Sequence, residues 1–343
     1  MSVGLIYDPI YLEHDTGSHP ESSERLVSMM RLLESSGLKE QLTSIPPRMA
    51  TESELLTTHS KELISRVESS SERGGAWLDG DTYCSPGSYK AALYSAGGIL
   101  RAVDAVMNGE VSSAFGLVRP PGHHATRTRA MGFCLFNNIA IAARYARELH
   151  GLKRILIADF DVHHGNGTQD SFYDDPDVLY FSTHLYPYYP GSGDVSETGT
   201  GDGKGATVNV PLPGGCGDNE YRQVYEEILV PVARRFKPEL ILVSVGFDPH
   251  WSDQLAMMQL SVQGFADIVK IIRDLAEELC GGRLVLTLEG GYNLEAISYS
   301  CKATFDVLLG NPVEDPIGAP KYGGRAPDIS QLLERVKKTH QLE

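Results

Sequence analysis

The stretch RILIADFDVHHGNGTQ, Arg154 to Gln169, decides how the rest of the chain is read. Its first half, Arg154 to Val162, is an apolar run of the kind that forms a strand covered on both faces in a parallel sheet. That run ends in Asp159 and Asp161, followed by His163, His164, Gly165 and Gly167. Burying a lone carboxylate is costly unless it is paired or bound to a cation, so the acids at the end of this strand need a partner. A metal ion is the partner that fits.

Further apolar segments flank this one. Ser112 to Val118, Asp177 to Leu185, Glu239 to Phe247 and Arg283 to Glu289 read as strands, and Met1 to Tyr7 as a short one. Between them Pro86 to Asn108, Asn137 to Leu149, Asn219 to Phe236 and Val262 to Leu279 read as helices, with Ser261 as an N-cap. Strands alternating with helices predict an α/β fold: one domain over residues 1–343, a central, mostly parallel sheet and helices on both faces. A C-terminal helix at about 327–340 should dock on the outside, beyond a core of 5–309.

The loops that leave these strands carry the chemistry. One strand leads into RPPGHHA with His123 and His124, another into Asp161 and His163, another into Asp248, and the last into GGY with Tyr292. In open parallel sheets ligands bind beyond the carboxyl ends of the strands, so these loops should converge. Asp159, Asp161 and His163 share one face of an extended segment. Asp161, His163 and Asp248 would give an O/N/O ligand set with an open position, the arrangement of catalytic zinc, although Fe(II) also suits a carboxylate-rich set. The stiff RPPGHHA loop can hold two imidazoles beside a metal-activated water, with Asp159 and Asn166 as their orienting acceptors. A carboxylate keeps its histidine more cationic than an amide does, which splits the pair into one electrostatic and one proton-transferring member. Tyr292, after two glycines, is a hydrogen-bond donor for an oxyanion.

Composition narrows the remaining classes. The formal net charge is −15, and no basic stripe with interleaved aromatics appears, so direct nucleic-acid binding is not expected. No apolar run reaches 18 residues and no signal peptide is evident, so a soluble, cytoplasmic protein without membrane contact is expected. Five scattered cysteines form no C-x-x-C pair and argue against both a disulfide framework and a cysteine metal site.

RPPGHHA, MGFCLFNN, DFDVHHGNGTQ, YYPGSGD, GFDPHW and LEGGYN, in this order, resemble the zinc-dependent histone deacetylase family, in its class II and bacterial versions. The resemblance implies an arginase-like α/β fold and hydrolysis of acetylated lysine, with acetylated polyamine as the alternative substrate. It assigns zinc to Asp161, His163 and Asp248, the general base to His124, an electrostatic role to His123 with Asp159, and the carbonyl donor to Tyr292. Gly132, Phe133 and Tyr189 would line an acyl-lysine channel, Leu255 its mouth, and Asp81 would anchor the substrate. Potassium would bind at Asp159, Asp161, His163, Ser182 and Thr183, and a second ion near Phe172, Asp175 and Val178. Asn166 and Tyr189 depart from the class I pattern, where an Asp and a Phe are usual. A binuclear manganese ureohydrolase needs more acids than Gly165 and His250 supply, and a non-catalytic acyl-amine sensor would have no use for the reacting groups.

Overall fold

The computed structural model describes residues 2–320 and 326–342. Ten strands appear in chain order: β1 (Val3–Ile6), β2 (Thr43–Ser44), β3 (Ala76–Trp77), β4 (Tyr83–Cys84), β5 (Ser113–Gly116), β6 (Ile155–Asp159), β7 (Val178–Leu185), β8 (Thr207–Leu212), β9 (Leu240–Val245) and β10 (Leu284–Leu288). Eight of them form one sheet in the order β2-β1-β5-β10-β9-β6-β7-β8, and β3 with β4 makes a separate small hairpin. Every pairing in the large sheet is parallel, a step beyond the mostly parallel sheet expected from sequence. β5, β6, β7, β9 and β10 are buried along their whole length, which is why they read as unbroken apolar runs. The first residue of the segment 1–7 lies outside the described residues.

The helices are α1 (Glu24–Ser35), α2 (Glu52–Leu56), α3 (Lys61–Glu72), α4 (Ser88–Met107), α5 (Asn138–His150), α6 (Asn166–Phe172), α7 (Asp218–Val224), α8 (Val230–Phe236), α9 (Val262–Cys280), α10 (Leu294–Leu309) and α11 (Ser330–His340). Two starts are capped by the side chains their sequence suggests: Asn137 accepts from Ala140 N and Ser261 from Gly264 N. The single helix expected over Asn219–Phe236 is instead α7 and α8 joined by a π-helical turn, Tyr225–Leu229. Pro231 explains the difference, because it has no N–H to donate to the preceding turn. The π turn carries the buried Tyr225, whose hydroxyl lies 3.4 Å from Thr183 Oγ1 on β7. α1, α2, α3, α6, α10 and the strands β2, β3, β4 and β8 were not anticipated. α10 matters most for the site, since its N-cap Asn293 directly follows Tyr292.

Candidate active site

Strand order brings β5, β10, β9 and β6 side by side, and the loops leaving their carboxyl ends meet over one cavity of about 190 Å³. Its lining includes Asp81, His123, His124, Gly132, Phe133, His163, Tyr189, Leu255 and Tyr292, all named from sequence, together with Pro121, Cys134, Tyr188 and Gly290, which were not.

At the cavity floor, Asp161 Oδ1 and Asp248 Oδ2 lie 3.0 and 3.2 Å from His163 Nδ1. Ligand atoms about 2.0–2.1 Å from a tetrahedral zinc sit roughly 3.3 Å apart, so this spacing suits a single ion. Asp248 Oδ2 is buried and has no hydrogen-bond partner of good geometry, whereas Asp248 Oδ1 accepts from Val162 N at 3.0 Å. An orphaned carboxylate oxygen facing an imidazole nitrogen and a second carboxylate is the residue-level case for a cation here.

The local backbone differs from the extended segment expected. β6 stops at Asp159, and Asp161 and His163 lie on a bent connection. Each acid there accepts from the backbone two residues on, Asp159 Oδ1 from Asp161 N at 3.2 Å and Asp161 Oδ1 from His163 N at 2.9 Å. These Asx turns, rather than strand alternation, aim the Asp161 and His163 side chains. Gly290 is required for the same cluster. A Cβ there would come within 2.5 Å of both Asp248 Oδ2 and Asp161 Oδ2, while its N–H donates to Asp161 Oδ2 at 2.8 Å.

The histidine pair stands above the acids with ring centroids 4.0 Å apart. His123 Nδ1 meets Asp159 Oδ2 at 3.1 Å and His124 Nδ1 donates to Asn166 Oδ1 at 2.9 Å. Burial disfavours charge on both rings. Around His123 the carboxylates of Asp159, Asp161 and Glu289 overcome that cost and push it up to about 10. His124 is driven well below the usual histidine value by burial and then by the neighbouring His123 and His163 rings. The two adjacent rings are therefore shifted in opposite directions, His123 toward the charged form and His124 toward the neutral one.

Two acids near the site were missed from sequence as working parts. Glu289 accepts from Gly122 N at 2.7 Å and His123 N at 3.1 Å, fixing the RPPGHHA loop, and from Ser244 Oγ at 3.1 Å. Asp253, five residues after Asp248, accepts from the backbone of Tyr292 at 2.6 Å. A second grouping of His123, Cys134 and Glu289 also lies close enough to hold a metal. Its thiol and carboxylate are already hydrogen-bonded, Cys134 Sγ donating to Gly132 O at 3.3 Å and Glu289 accepting from Gly122 N and Ser244 Oγ.

The walls are aromatic. Phe133 sits at φ 68°, a left-handed conformation uncommon for a non-glycine residue, and follows Gly132 at φ 56°. Thr82 pins this turn by accepting from Phe133 N at 3.1 Å, and Thr82 Oγ1 donates to Asp81 Oδ1 at 3.1 Å. Burial, then the neighbouring Asp79, raise the Asp81 carboxyl. Tyr189 meets the edge of His124 with centroids 5.1 Å apart, and its hydroxyl is buried without a partner. Tyr188 stacks on His163 at 5.6 Å and donates to Leu255 O at 2.7 Å.

Of the residues expected to bind potassium, Ser182 stands in register with Asp159 across β6 and β7, and Thr183 follows it. Phe172, Asp175 and Val178 lie together at the α6–β7 connection, where Asp175 N donates to Phe172 O at 3.1 Å and the Asp175 carboxylate pairs with Arg147. His250 does not join the acids: it is buried, with Nδ1 2.9 Å from Ser252 Oγ.

Two histidines, a further imidazole and a phenol thus line one cavity, and that further imidazole, His163, belongs with Asp161 and Asp248 to a group close enough to hold a metal ion. The chain belongs to the histone deacetylase family: the histone deacetylase domain model matches residues 19–308. It is 42% identical to the Histone deacetylase 14, chloroplastic, of Arabidopsis thaliana over 96% of this chain and 82% of that one. It is also 42% identical to a probable deacetylase of Archaeoglobus fulgidus, over 99% of this chain and 98% of that protein. The crystal structure of the HDA15 HD domain superposes with a TM-score of 0.89 at 35% identity, covering 99% of this chain and 94% of that one. The protein is accordingly a deacetylase, of a family that is generally zinc-dependent. Among the described residues no helix is long and apolar enough to cross a membrane.

Proposed function

We propose that the protein removes acetyl groups from N-acetyl-lysine in peptides or proteins, with zinc held by Asp161, His163 and Asp248. The observation that carries this reading is the orphaned Asp248 Oδ2 beside His163 Nδ1, which also faces Asp161 Oδ1 and lines one cavity with His124 and Tyr292. Zinc bound there would polarise the acetyl carbonyl and acidify a water, and Fe(II) would supply the same chemistry. The neutral His124 accepts the proton of the attacking water and later delivers it to the departing amine nitrogen. The cationic His123, held by Asp159, stabilises the negative charge of the transition state. The Tyr292 phenol donates to the former carbonyl oxygen as its charge grows. Amide and water become acetate and free amine.

Gly132, Phe133 and Tyr189 enclose the acyl-lysine chain, Leu255 sits at its mouth, and Asp81 anchors the substrate backbone or amine. Potassium bound at Asp159, Asp161, His163, Ser182 and Thr183 would neutralise the two acids from below, and a second ion would sit near Phe172, Asp175 and Val178. The Asp79–Asp81 pair at the rim supports acetylated polyamines as a second substrate class, since a chain ammonium would relieve their mutual repulsion. The five buried, unpaired cysteines suit a reducing compartment such as the cytoplasm.

The test is turnover of acetyl-lysine peptides, acetylspermidine and longer acyl-lysines by zinc-loaded protein. Preferred turnover of the peptide is expected, and Tyr292→Phe should lower kcat roughly 10²- to 10³-fold. Full activity in that variant removes the phenol from the mechanism. No turnover of any acylated amine would favour the sensor.

A further inference from the structure

We propose that Asp253 is a positioning residue whose single carboxylate sets both the Tyr292 phenol and the Leu255 lip of the acyl channel. The proposal rests on the reading of Tyr292 as the carbonyl donor.

Asp253 is 7% exposed, on the segment between the metal ligand Asp248 and the channel mouth. Its two oxygens face different parts of the site. Oδ2 accepts from Tyr292 N at 2.6 Å and Asn293 N at 3.0 Å, the two backbone groups that lead into α10. Oδ1 accepts from Leu255 N at 3.0 Å. The backbone leaving Gly290 and Gly291 has little stiffness of its own, since Gly291 sits at φ 108°. The Gly291–Tyr292 peptide is gripped from both edges: Arg25 Nε donates to its carbonyl at 2.7 Å, and Asp253 accepts from its N–H. Without the carboxylate, two N–H groups at the α10 N-terminus lose their acceptor and the peptide keeps its carbonyl anchor alone, free to rock about it. Asn293 Nδ2 donates to Ser252 O at 3.1 Å, a tie that holds the start of α10 but leaves the Tyr292 N–H unpaired.

Leu255 is held from both sides. Its N–H goes to Asp253 and its carbonyl accepts from Tyr188 Oη at 2.7 Å. One acid therefore couples the reacting end of the channel to its entrance. A misplacement of about 1 Å at a group acting on the transition state costs on the order of 10²-fold in rate, so the anchor has kinetic weight although it touches no substrate.

The experiment is a double-mutant cycle of Asp253→Ala and Tyr292→Phe in the zinc-loaded full chain, reading kcat, KM, zinc content and melting temperature. Asp253→Ala should lower kcat about 10- to 100-fold with zinc retained. In the Tyr292→Phe background the same change should cost no more than about threefold further, because the group being positioned is already gone. Relative turnover of butyryl-lysine over acetyl-lysine should rise as the lip loosens. Asp253→Asn provides the conservative rescue. Its one acceptor oxygen can satisfy either the Tyr292–Asn293 pair or Leu255 but not both, so kcat should fall between wild type and Asp253→Ala even if the alanine variant folds poorly. Wild-type kcat in Asp253→Asn and Asp253→Ala overturns the proposal, as does a loss that multiplies in full with that of Tyr292→Phe. Full activity of Tyr292→Phe alone removes the donor reading instead, a separable outcome.

Discussion

Two buried ionic clusters meet at the 289–291 backbone that leads to Tyr292, and they are built to opposite ends. On one side Arg25 and Arg119 close around Glu21. Arg119 donates from Nε and one terminal nitrogen to the two Glu21 oxygens at 2.5 and 2.8 Å, and Arg25 donates to Glu21 Oε1 at 3.0 Å. Their remaining donors reach the carbonyls of Tyr11, His14, Glu289 and Gly291. On the other side Asp159, Asp161, Asp248 and Glu289 surround His123 and His163, and one oxygen of Asp248 is left over. A cluster whose donors and acceptors cancel is spent on holding segments together. A cluster with excess acid and an orphaned acceptor lacks a positive charge that no side chain supplies.

The largest effect should come from removing that excess. Asp248→Asn keeps the side-chain shape and an acceptor for Val162 N but deletes the charge, so the purified variant should lose both its zinc and its turnover. Metal analysis beside the activity assay checks this; a variant that still carries one zinc per chain would show that the open cluster does not need Asp248.

Breaking the closed cluster should instead cost stability. Glu21→Gln leaves two buried guanidinium groups without their carboxylate, and an uncompensated buried charge of this kind destabilises by about 3–5 kcal/mol, measurable by urea unfolding. The pH dependence is set by the sign of the shift. Burial alone would raise the Glu21 carboxyl, but Arg119 and His14 hold it well below its ordinary 4.5. A depressed acid contributes stability above its unfolded value and loses it as the pH falls through the folded one. The gap between wild type and Glu21→Gln should therefore be constant from neutral pH down to about 5 and narrow in stronger acid. A gap that widens on acidification would contradict the charge assignment.

The contrast also explains what could be read from the chain. The open cluster was legible because its members sit at strand ends in short motifs: two acids, a histidine and glycines after Ile155–Ala158 have few structural uses. The parallel strands were legible because burial on both faces leaves apolar runs. The closed cluster left no such trace. Arg25 sits on an amphipathic helix, where an arginine ordinarily faces water, and nothing near it signals that Gly291, 266 residues away, accepts its Nε–H at 2.7 Å. Asp253 drew no reading from sequence for the same reason, since its partners are the backbone N–H groups that lead into α10, which was not anticipated. Pairings made only in the tertiary structure are invisible to periodicity.

The smallest expected effect lies inside the open cluster, between its two histidines. His123 and His124 are adjacent in sequence and differ chiefly in what faces Nδ1, a carboxylate for one and an amide for the other. Asp159→Asn makes the two environments alike when its one oxygen takes the place of Oδ2, which faces His123 Nδ1 and Tyr180 Oη at 3.1 Å, at the cost of the acceptor that Asp161 N now meets at 3.2 Å. His123 then loses the nearest charge that holds it cationic. The proton-transferring ring is untouched and the channel walls stay in place, so KM for an acetyl-lysine peptide should change little while kcat falls about 10- to 100-fold. A rise in KM at constant kcat would mean that Asp159 shapes the channel rather than the charge above it. Wild-type values for both would show that one neutral and one charged histidine are not what the reaction uses.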